Sequence, residues 1–451
     1  MPTSLVILAA GKGTRMVSDL PKVLHRVGGL PLLVHAMASG EALSPARRVV
    51  VAGHGAEAVT RAARDYDAAA QVVLQHEQLG TAHAVAQAAP ALAGFNGDVI
   101  VLYGDTPFIR PETLARMAEA RATHDVVVLG FRAADPGRYG RLVMSGEELE
   151  RIVEFKDARA DERAIDFCNS GVIAADAATL FDLIDAVDNE NAAGEYYLTD
   201  IVALARAQGL SATAVACEEA ETMGVNSRAD LAAAEAAFQD RARAAAMAGG
   251  VTLTAPDTVH FSHDTEIGRD TIVEPNVVFG PGVTVAGGAR IRAFSHLEGA
   301  SVAAGAEVGP YARLRPGTDL AEAARVGNFV EVKQASIGRG GKVNHLSYIG
   351  DARIGAEANI GAGTITCNYD GVMKHRTEIG DRAFIGSDTM LVAPVRIGDG
   401  AMTGSGSVIS RDVPGDALAI ARADQSNKPG LARKLFERLR AQKAKRDTGA
   451  E

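Results

Sequence analysis

The chain is poor in the residues and runs that crosslink a protein or anchor it in a membrane. Its 451 residues include only three cysteines, Cys168, Cys217 and Cys367, which are far apart and odd in number. This spacing predicts reduced structural thiols rather than a disulfide framework or a zinc site. No apolar run approaches the roughly 18 residues that cross a bilayer, so we expect no membrane insertion.

The sequence also lacks the marks of a secreted or a nucleic-acid-binding protein. A strand-like pattern starts at once, without the basic segment and cleavage site of a signal peptide, which predicts a cytoplasmic protein. The net charge of −10 excludes nucleic-acid binding by overall electrostatics. Basic residues concentrate in 428–446, with eight Lys or Arg against one acid, Glu437. We favour a solvated terminal helix or a disordered tail there, with an anion-binding arm as the alternative.

The length predicts about two or three domains. Up to about residue 226, short apolar runs such as DVIVLYGD and DVVVLGF alternate with amphipathic segments, a pattern typical of parallel strands buried on both faces. We expect a doubly wound, Rossmann-like α/β domain over 1–227, whose ligands lie beyond the carboxyl ends of the strands. Residues 228–248 are rich in alanine and lack glycine and proline, which predicts one long linker helix.

From residue 249 onward the hydrophobic period changes to six. Large apolar residues recur at every sixth position, as at Val273, Phe279, Val285 and Ile291. A period of six fits neither an α-helix nor an ordinary sheet and predicts a β-solenoid, in which each of these side chains points into the coil. We therefore expect a parallel β-helix of hexapeptide repeats over 249–451, interrupted by the insertion TCNYDGVMKHRTE.

A glycine-rich turn, LAAGKGTRM, follows the first apolar run. Such a turn between a strand and a helix presents backbone N–H groups to anions, which favours a phosphate site. A Walker loop does not fit, because Val6 and Gly13 stand where that motif needs a glycine and a Ser or Thr. The dinucleotide fingerprint does not fit either, because Met16 takes the place of its third glycine. A purely structural connection is the alternative.

Taken together, the two halves resemble the family of bifunctional bacterial N-acetylglucosamine-1-phosphate uridyltransferases/glucosamine-1-phosphate acetyltransferases over nearly the whole chain. The segments that carry the resemblance are LAAGKGTRM, LPKVLH, LQHEQLGTAHA, LYGD, YGRL, VEFKD, NSGV, GEYYLTD, GVNSR, RLRPG, VGNFVEVK, NHLSYIGD and IGAGTITCNYDG. The resemblance implies an N-terminal nucleotidyltransferase domain, a C-terminal left-handed β-helix and a homotrimer. It implies acetyl transfer from acetyl-CoA to glucosamine 1-phosphate, then uridylyl transfer from UTP to N-acetylglucosamine 1-phosphate with release of pyrophosphate.

The resemblance also assigns residues to uridylyl transfer. It implies that Arg15 and Lys22 supply positive charge, and that Asp105 and Asn226 hold Mg²⁺, an ion that prefers one or two protein oxygens plus substrate phosphates. Joining two anions depends on stabilisation by nearby positive charge. No general base is needed, because the attacking phosphate is already ionised. For Asp105, at the end of DVIVLYGD, a plain turn is the alternative. The positions that match UTP and UDP-N-acetylglucosamine contacts are Leu8, Ala9, Ala10, Gly11, Lys22, Gln75, Gly80, Thr81, Tyr103, Gly104, Asp105, Gly140, Glu154, Asn169 and Asn226.

His345, in NHLSY, is the implied general base of acetyl transfer, because a histidine with its ordinary pKa of about 6.5 accepts a proton from an attacking amine. The positions that match phosphosugar contacts are Arg315, Lys333, Tyr348 and Asn359. The positions that match acetyl-CoA contacts are Ala362, Asn368, Tyr369, Ser387, Ser405 and Arg422, and some members have alanine at position 405. An acyl-enzyme on Cys367 is the alternative, but no partner base lies nearby in the sequence, so we expect direct transfer.

Two rival functions stay open on the sequence alone. Other sugar-nucleotide pyrophosphorylases also join a nucleotidyltransferase domain to a left-handed β-helix, although NHLSYIGD and ITCNYDG do not suit them. A regulatory scaffold that has lost catalysis is the second rival, although it has no chemical reason to keep Arg15, Lys22, Asp105 and Asn226. UTP-dependent pyrophosphate release with N-acetylglucosamine 1-phosphate distinguishes these readings.

Overall fold

A computed structural model describes residues 1–447 of the chain. These residues form two compact units. The first unit comprises Met1–Ala246 and His260–Thr265, and the second comprises the rest of the described chain. Within that part of the chain, no helix is long and apolar enough to span a membrane.

The first unit is a sheet flanked by helices. Its strands are β1 (Thr3–Ala9), β2 (Arg26–Val27), β3 (Leu30–Pro31), β4 (Arg47–Ala52), β5 (Gln71–Leu74), β6 (Asp98–Tyr103), β7 (Val126–Arg132), β8 (Arg141–Ser145), β9 (Glu148–Val153), β10 (Phe167–Asp176) and β11 (Ala212–Cys217). Its helices are α1 (Leu32–Ser39), α2 (Ala56–Tyr66), α3 (Thr81–Ala86), α4 (Pro111–Ala120), α5 (Ala160–Arg163), α6 (Ala177–Asp185), α7 (Asp200–Ala207) and α8 (Arg228–Ala248). Its 3₁₀ turns are Thr14–Met16, Lys22–Leu24, Glu41–Leu43, Pro90–Leu92 and Glu219–Glu221.

Nine of these strands form one sheet, in the order β5-β4-β1-β6-β10-β7-β11-β9-β8. Strands β4, β1 and β6 run parallel. Alternate residues of β1 enter two different cores, Leu5 and Ile7 on one face and Val6 on the other. The doubly wound α/β arrangement predicted from the apolar runs is therefore confirmed.

Two strands differ from the expectation of parallel strands buried on both faces. β10 runs antiparallel between β6 and β7, so the sheet is mixed. β5, from the run AQVVLQ, is an edge strand whose ends, Gln71 and Leu74, are exposed. An apolar run encodes burial but neither strand direction nor position in the sheet, which explains both errors.

Helix α8 spans the residues that the alanine-rich composition predicts. It packs within the first unit. Glu235 Oε2 accepts a hydrogen bond from the Gly28 N–H at 2.8 Å. Gln239 Nε2 donates to the Phe261 carbonyl at 2.8 Å, and Gln239 Oε1 accepts from the Phe261 N–H at 2.8 Å.

The second unit is a left-handed parallel β-helix. It contains the 3₁₀ turn Pro256–Thr258 and ends in helix α9 (Leu431–Asp447). Its strands are β12 (Thr252–Leu253), β13 (Glu266–Ile267), β14 (Ile272–Val273), β15 (Val278–Phe279), β16 (Thr284–Val285), β17 (Arg290–Ile291), β18 (His296–Leu297), β19 (Ala300–Val302), β20 (Glu307–Val308), β21 (Arg313–Leu314), β22 (Thr318–Leu320), β23 (Arg325–Asn328), β24 (Glu331–Ile337), β25 (Lys342–His345), β26 (Tyr348–Ile354), β27 (Asn359–Ile360), β28 (Ile365–Cys367), β29 (Thr377–Ile379), β30 (Phe384–Ile385), β31 (Met390–Val392), β32 (Val395–Ile397), β33 (Met402–Thr403), β34 (Val408–Ile409) and β35 (Leu418–Ala419).

The six-residue period sets the inside of this coil. The second residue of most two-residue strands is buried, and Val273, Phe279, Val285 and Ile291 are each 4% exposed or less. The prediction that these side chains point inward is confirmed. Two faces matter for function. Face A carries β23, β25, β27, β30 and β33, and face B carries β21, the first halves of β24 and β26, then β28 and β31.

The corner between faces A and B carries an exposed apolar ridge, formed by Phe294, Tyr311, Phe329 and Leu346. These side chains are 48 to 62% exposed. The Tyr311 ring stacks on Phe294 at 4.8 Å and on Phe329 at 5.3 Å between centroids. All four have a φ between 52° and 60°, which is uncommon for bulky residues. Helix α9, which carries the basic tail, is exposed along its described length, as a solvated terminal helix would be, and the anion-binding arm stays the alternative.

Candidate functional sites

The carboxyl ends of β1 and β6 open onto a cavity of about 370 Å³. Ten positions matched to nucleotide contacts line it, namely Leu8, Ala9, Ala10, Gly11, Lys22, Gln75, Gly80, Thr81, Tyr103 and Asp105. Gln78 and Glu195, which the sequence analysis missed, line it too. Gln78 Nε2 donates a hydrogen bond to the Ala10 carbonyl at 2.6 Å, which ties this side chain to the glycine-rich turn.

The glycine-rich turn packs directly on Lys22. Gly13 has a φ of 59°, and a Cβ built there would lie 2.6 Å from the Lys22 Cβ, so the turn requires glycine. The Lys22 ammonium contacts Asp105 Oδ2 and lies 3.0 Å from Asn226 Oδ1. Three residues that are distant in the sequence therefore converge at the cavity.

The donor set around Lys22 suits a small hard cation. Asp105 and Asn226 each present an oxygen to the same positive group. Among residues 1–447, no group of three or more His, Cys, Asp or Glu side chains forms a metal site. Mg²⁺ prefers one or two protein oxygens, with substrate phosphates and water in the remaining positions. A carboxylate and an amide oxygen match that preference, whereas a cage built only of protein ligands would not.

Other polar side chains of the cavity lining are held by hydrogen bonds to neighbouring residues. Gln75 Nε2 lies 3.2 Å from the Gly80 carbonyl and 3.0 Å from His83 Nδ1. The hydroxyl of Thr81 accepts the Leu198 N–H at 2.9 Å. Burial raises the pKa of Tyr103 well above its ordinary range, so this phenol stays a neutral hydrogen-bonding group.

Gly140, Glu154 and Asn169 form a second cluster, outside the lining of that cavity. The Asn169 N–H donates to the Gly140 carbonyl at 2.9 Å. A Cβ on Gly140 would lie 3.4 Å from Glu154 Oε1 and 3.5 Å from the Asn169 Cβ. Burial raises the pKa of Glu154, whose Oε1 accepts a 3.3 Å hydrogen bond from Thr199. The structure thus brings together all three positions matched to sugar contacts.

Besides the three sugar-matched positions, Arg15 and Gly104 also stand outside the cavity lining. Arg15 is exposed on the turn Thr14–Met16. Gly104 follows β6, and its N–H donates to the Leu8 carbonyl at 2.9 Å. Its contact here is therefore a backbone hydrogen bond, and it does not line the cavity. Their contacts with a nucleotide stay predictions.

In the second unit, His345 ends β25 on face A. Its Nδ1 lies 2.8 Å from Oδ1 of Asn328, its neighbour in the β23–β25 register. Both residues line a cavity of about 290 Å³, together with Arg292 and Arg325. Because an amide oxygen can only accept a hydrogen bond, this contact favours the neutral tautomer with the proton on Nδ1, in which Nε2 is available as a base. Asn328 was missed, although it lies one rung before His345 in the segment VGNFVEVK.

Four positions matched to acetyl-CoA form a column that continues from His345 along face A. The links are backbone hydrogen bonds between successive rungs, Gly363 N–H to the His345 carbonyl, Asp388 N–H to the Ala362 carbonyl and Gly406 N–H to the Ser387 carbonyl. Arg422 then donates to the Ser405 carbonyl at 2.7 Å. At about 4.8 Å per rung, the column extends about 14 Å from His345 to Ser405.

Face B carries the cationic positions matched to the phosphosugar. Arg315 Nη1 donates to Glu331 Oε1 at 2.8 Å, and Glu331 pairs with Tyr348 in the ladder. Lys333 lies within hydrogen-bonding reach of Lys374, whose pKa this neighbouring ammonium lowers. Lys374 belongs to the insertion and was missed, because no repeat register predicts where an insertion folds.

Within one chain, three predicted positions lie apart from the residues with which we expected them to share a site. Asn359 lies on face A beside Lys342, not with Tyr348 on face B. Asn368 and Tyr369 follow β28 on face B instead of joining the acetyl-CoA column, and the Asn368 amide contacts Asp351. The positions matched to acetyl-transfer substrates are therefore divided between two faces of the chain.

The thiols are placed unfavourably for nucleophilic catalysis. All three cysteines are free. Burial raises the pKa of the Cys367 thiol, which lowers its thiolate fraction.

Known proteins share both halves of this architecture. Residues 5–170 match the family model of the MobA-like NTP transferase domain, and residues 376–411 match that of the bacterial transferase hexapeptide. The "Bifunctional protein GlmU" of Ruegeria pomeroyi is 71% identical over 98% of this chain and 99% of its own. That of Cereibacter sphaeroides (strain ATCC 17025) is 69% identical over 97% and 96%. The chain belongs to the GlmU family. As a GlmU-family member it is a bifunctional transferase, which excludes the non-catalytic scaffold.

Proposed function

We propose that each of the two units of this chain carries out one step in the synthesis of UDP-N-acetylglucosamine, the two-step reaction of the GlmU family. The β-helix transfers an acetyl group from acetyl-CoA to glucosamine 1-phosphate. The nucleotidyltransferase unit then joins the resulting N-acetylglucosamine 1-phosphate to a uridylyl group from UTP and releases pyrophosphate. The observation that carries the assignment of the first unit is the convergence of Lys22, Asp105 and Asn226 at its cavity.

Uridylyl transfer is assigned to the cavity at the ends of β1 and β6. The glycine-rich turn and Lys22 bind the nucleotide phosphates, with Arg15 as a further cation, and Gln75, Gly80 and Thr81 bind the uridine. The cluster of Gly140, Glu154 and Asn169 binds the sugar. The phosphate of N-acetylglucosamine 1-phosphate attacks the α-phosphorus of UTP, and positive charge stabilises the negative charge of the transition state and the departing pyrophosphate.

Asp105 and Asn226 are the residues that would hold Mg²⁺. When bound, the ion supplies Lewis-acid charge stabilisation to the phosphates. Lys22 forms an ion pair with the Asp105 carboxylate and also lines the cavity that would receive the phosphates. A cytoplasmic location, where UTP and acetyl-CoA are available, stays part of this proposal.

Acetyl transfer is assigned to His345 and its surroundings. Asn328 holds the imidazole in the tautomer that leaves Nε2 free. Nε2 removes the proton from the sugar amine as its nitrogen attacks the thioester carbonyl, and the C–S bond then breaks to release coenzyme A. The column from Ala362 to Arg422 binds the extended acetyl-CoA. Arg315, Lys333 and Lys374 supply a cationic site for the phosphate of glucosamine 1-phosphate.

We propose a homotrimer in which neighbouring chains complete this second site. Face A carries the base and the acetyl-CoA column, face B carries the phosphate-binding cations, and the apolar ridge of Phe294, Tyr311, Phe329 and Leu346 separates them. An exposed stacked ridge of this kind is typical of surfaces that another chain covers. A neighbour packed on the ridge brings its face B residues toward His345.

The direct test supplies purified protein with each substrate pair. We expect UTP-dependent pyrophosphate release with N-acetylglucosamine 1-phosphate, and coenzyme A release from acetyl-CoA with glucosamine 1-phosphate. A preference for glucose 1-phosphate over N-acetylglucosamine 1-phosphate, with no coenzyme A release, would support a different sugar-nucleotide pyrophosphorylase instead.

A further inference from the structure

Arg141, the first residue of β8, is a charged side chain in an unusual setting. Only 2% of it is exposed. Its guanidinium donates to the carbonyls of Gly137 at 3.1 Å, Arg163 at 3.4 Å and Tyr139. In the part of the chain that the structure describes, no carboxylate forms an ion pair with it. Burying a charge without an ion pair is unfavourable unless hydrogen bonds compensate its desolvation, and here backbone carbonyls supply them.

The same guanidinium also fixes an aromatic ring. Arg141 Cζ lies 5.9 Å and Arg163 Cζ lies 4.6 Å from the centroid of Phe155, so two cations pack on one ring. Phe155 directly follows Glu154. These cation–π contacts restrain the backbone on which the Glu154 carboxylate is carried.

Arg141 adjoins each of the three positions assigned to the sugar. Gly140 precedes it in the chain, and Glu154 precedes the clamped ring. Asn169 follows Cys168, which pairs with Arg141 where β8 meets β10. Arg141 thus adjoins three separate segments that converge on the same cluster, two of them through its side chain and the Asn169 strand through its backbone pairing.

We propose that Arg141 is a positioning residue for the N-acetylglucosamine 1-phosphate end of the uridylyl-transfer site. It does not contact substrate. Its guanidinium holds the loop of residues 137–140 and the strand end that carries Glu154 in place against the strand that carries Asn169, with which Arg141 pairs through its backbone. The inference rests on the proposed function, because it assigns the sugar to this cluster.

The test measures KM values of the full chain for both substrates of uridylyl transfer. Arg141→Met removes all the donors at nearly constant volume and should raise the KM for N-acetylglucosamine 1-phosphate by about tenfold or more. The KM for UTP should stay near that of the parent. Arg141→Lys keeps the charge but cannot span all three carbonyls. Its KM for the sugar phosphate should therefore lie between those of the parent and of Arg141→Met. Acetyl transfer, in the other unit, should be unchanged.

Arg121→Met is the matched control. Arg121 is also buried, but its guanidinium pairs with Asp98 at 2.9 Å, at the start of β6 and away from the cavity at the end of that strand. We expect Arg121→Met to lower thermal stability without raising the KM for the sugar phosphate.

Three results would overturn the inference: an unchanged sugar-phosphate KM in folded Arg141→Met, equal rises in both KM values, or the same selective rise in Arg121→Met. If Arg141→Met does not fold, an unchanged sugar-phosphate KM in Arg141→Lys would overturn it equally. The proposed function is tested separately on the parent chain, and it fails if that chain releases no pyrophosphate from UTP with N-acetylglucosamine 1-phosphate.

Discussion

Nδ1 of His345 lies 2.8 Å from Oδ1 of Asn328, one rung earlier in the β-helix. The two residues occupy the same register position on face A, so the stacking of rungs itself builds the contact. A histidine anchored in this way presents a defined nitrogen to substrate, and its partner can be altered without touching the base.

Asn328→Ala should therefore lower acetyl transfer by about tenfold, the equivalent of one hydrogen bond of about 1.4 kcal/mol. Steady-state coenzyme A release measures this effect. Asn344→Ala, at an adjacent position that lines the same cavity, is the control and should have a smaller effect. Equal losses in the two variants would remove the orienting role of Asn328.

The Lys333–Lys374 contact predicts a pH dependence of phosphosugar binding. Because the neighbouring ammonium lowers the pKa of Lys374, this side chain loses its proton at a lower pH than an ordinary lysine. Affinity for the phosphate should then fall as pH rises through that lowered pKa. Lys374→Arg keeps its charge at every accessible pH, since an arginine pKa exceeds about 12.

The measurement is the ratio of the KM values of Lys374→Arg and the parent for glucosamine 1-phosphate, across pH. The ratio cancels the titration of the substrate and of groups that the two proteins share. It should fall with rising pH. A ratio that stays constant between neutral pH and pH 10 would contradict the assignment of Lys374.

Asp105→Asn should impair uridylyl transfer and raise the Mg²⁺ concentration that gives half-maximal rate, because the change removes the one carboxylate of the proposed metal site. A Mg²⁺ titration of pyrophosphate release measures both. Acetyl transfer should continue in EDTA. Loss of both activities of folded protein in EDTA would show that the metal is not confined to the first unit.

Part of the fold and of the candidate sites could be predicted from the sequence, and part could not. The inward positions of Val273 and Ile291 follow from a period of six, because each rung repeats the same environment. The antiparallel direction of β10 does not follow from the sequence, because an apolar run has the same pattern in either strand direction. The division of Tyr348 and Asn359 between two faces depends on rung register, and the partners of Arg141 are backbone carbonyls, which leave no motif.

Tyr311→Glu should dissociate the assembly, because it places a charge in the middle of the stacked ridge, where Phe294 and Phe329 flank the ring. Sedimentation velocity should show a shift from trimer toward monomer, with acetyl transfer reduced and uridylyl transfer kept. A fully acetyl-transferring monomer, of the parent or of this variant, would contradict the shared site.

The central claim is that two independent sites serve two reactions, and His345→Ala tests it most directly. Both half-reactions are assayed on the same purified, folded variant. We predict a loss of acetyl transfer of about 10²- to 10⁴-fold, as expected for removal of a positioned base, with uridylyl transfer near that of the parent. Equal loss of both activities, or unaffected acetyl transfer, would contradict the account.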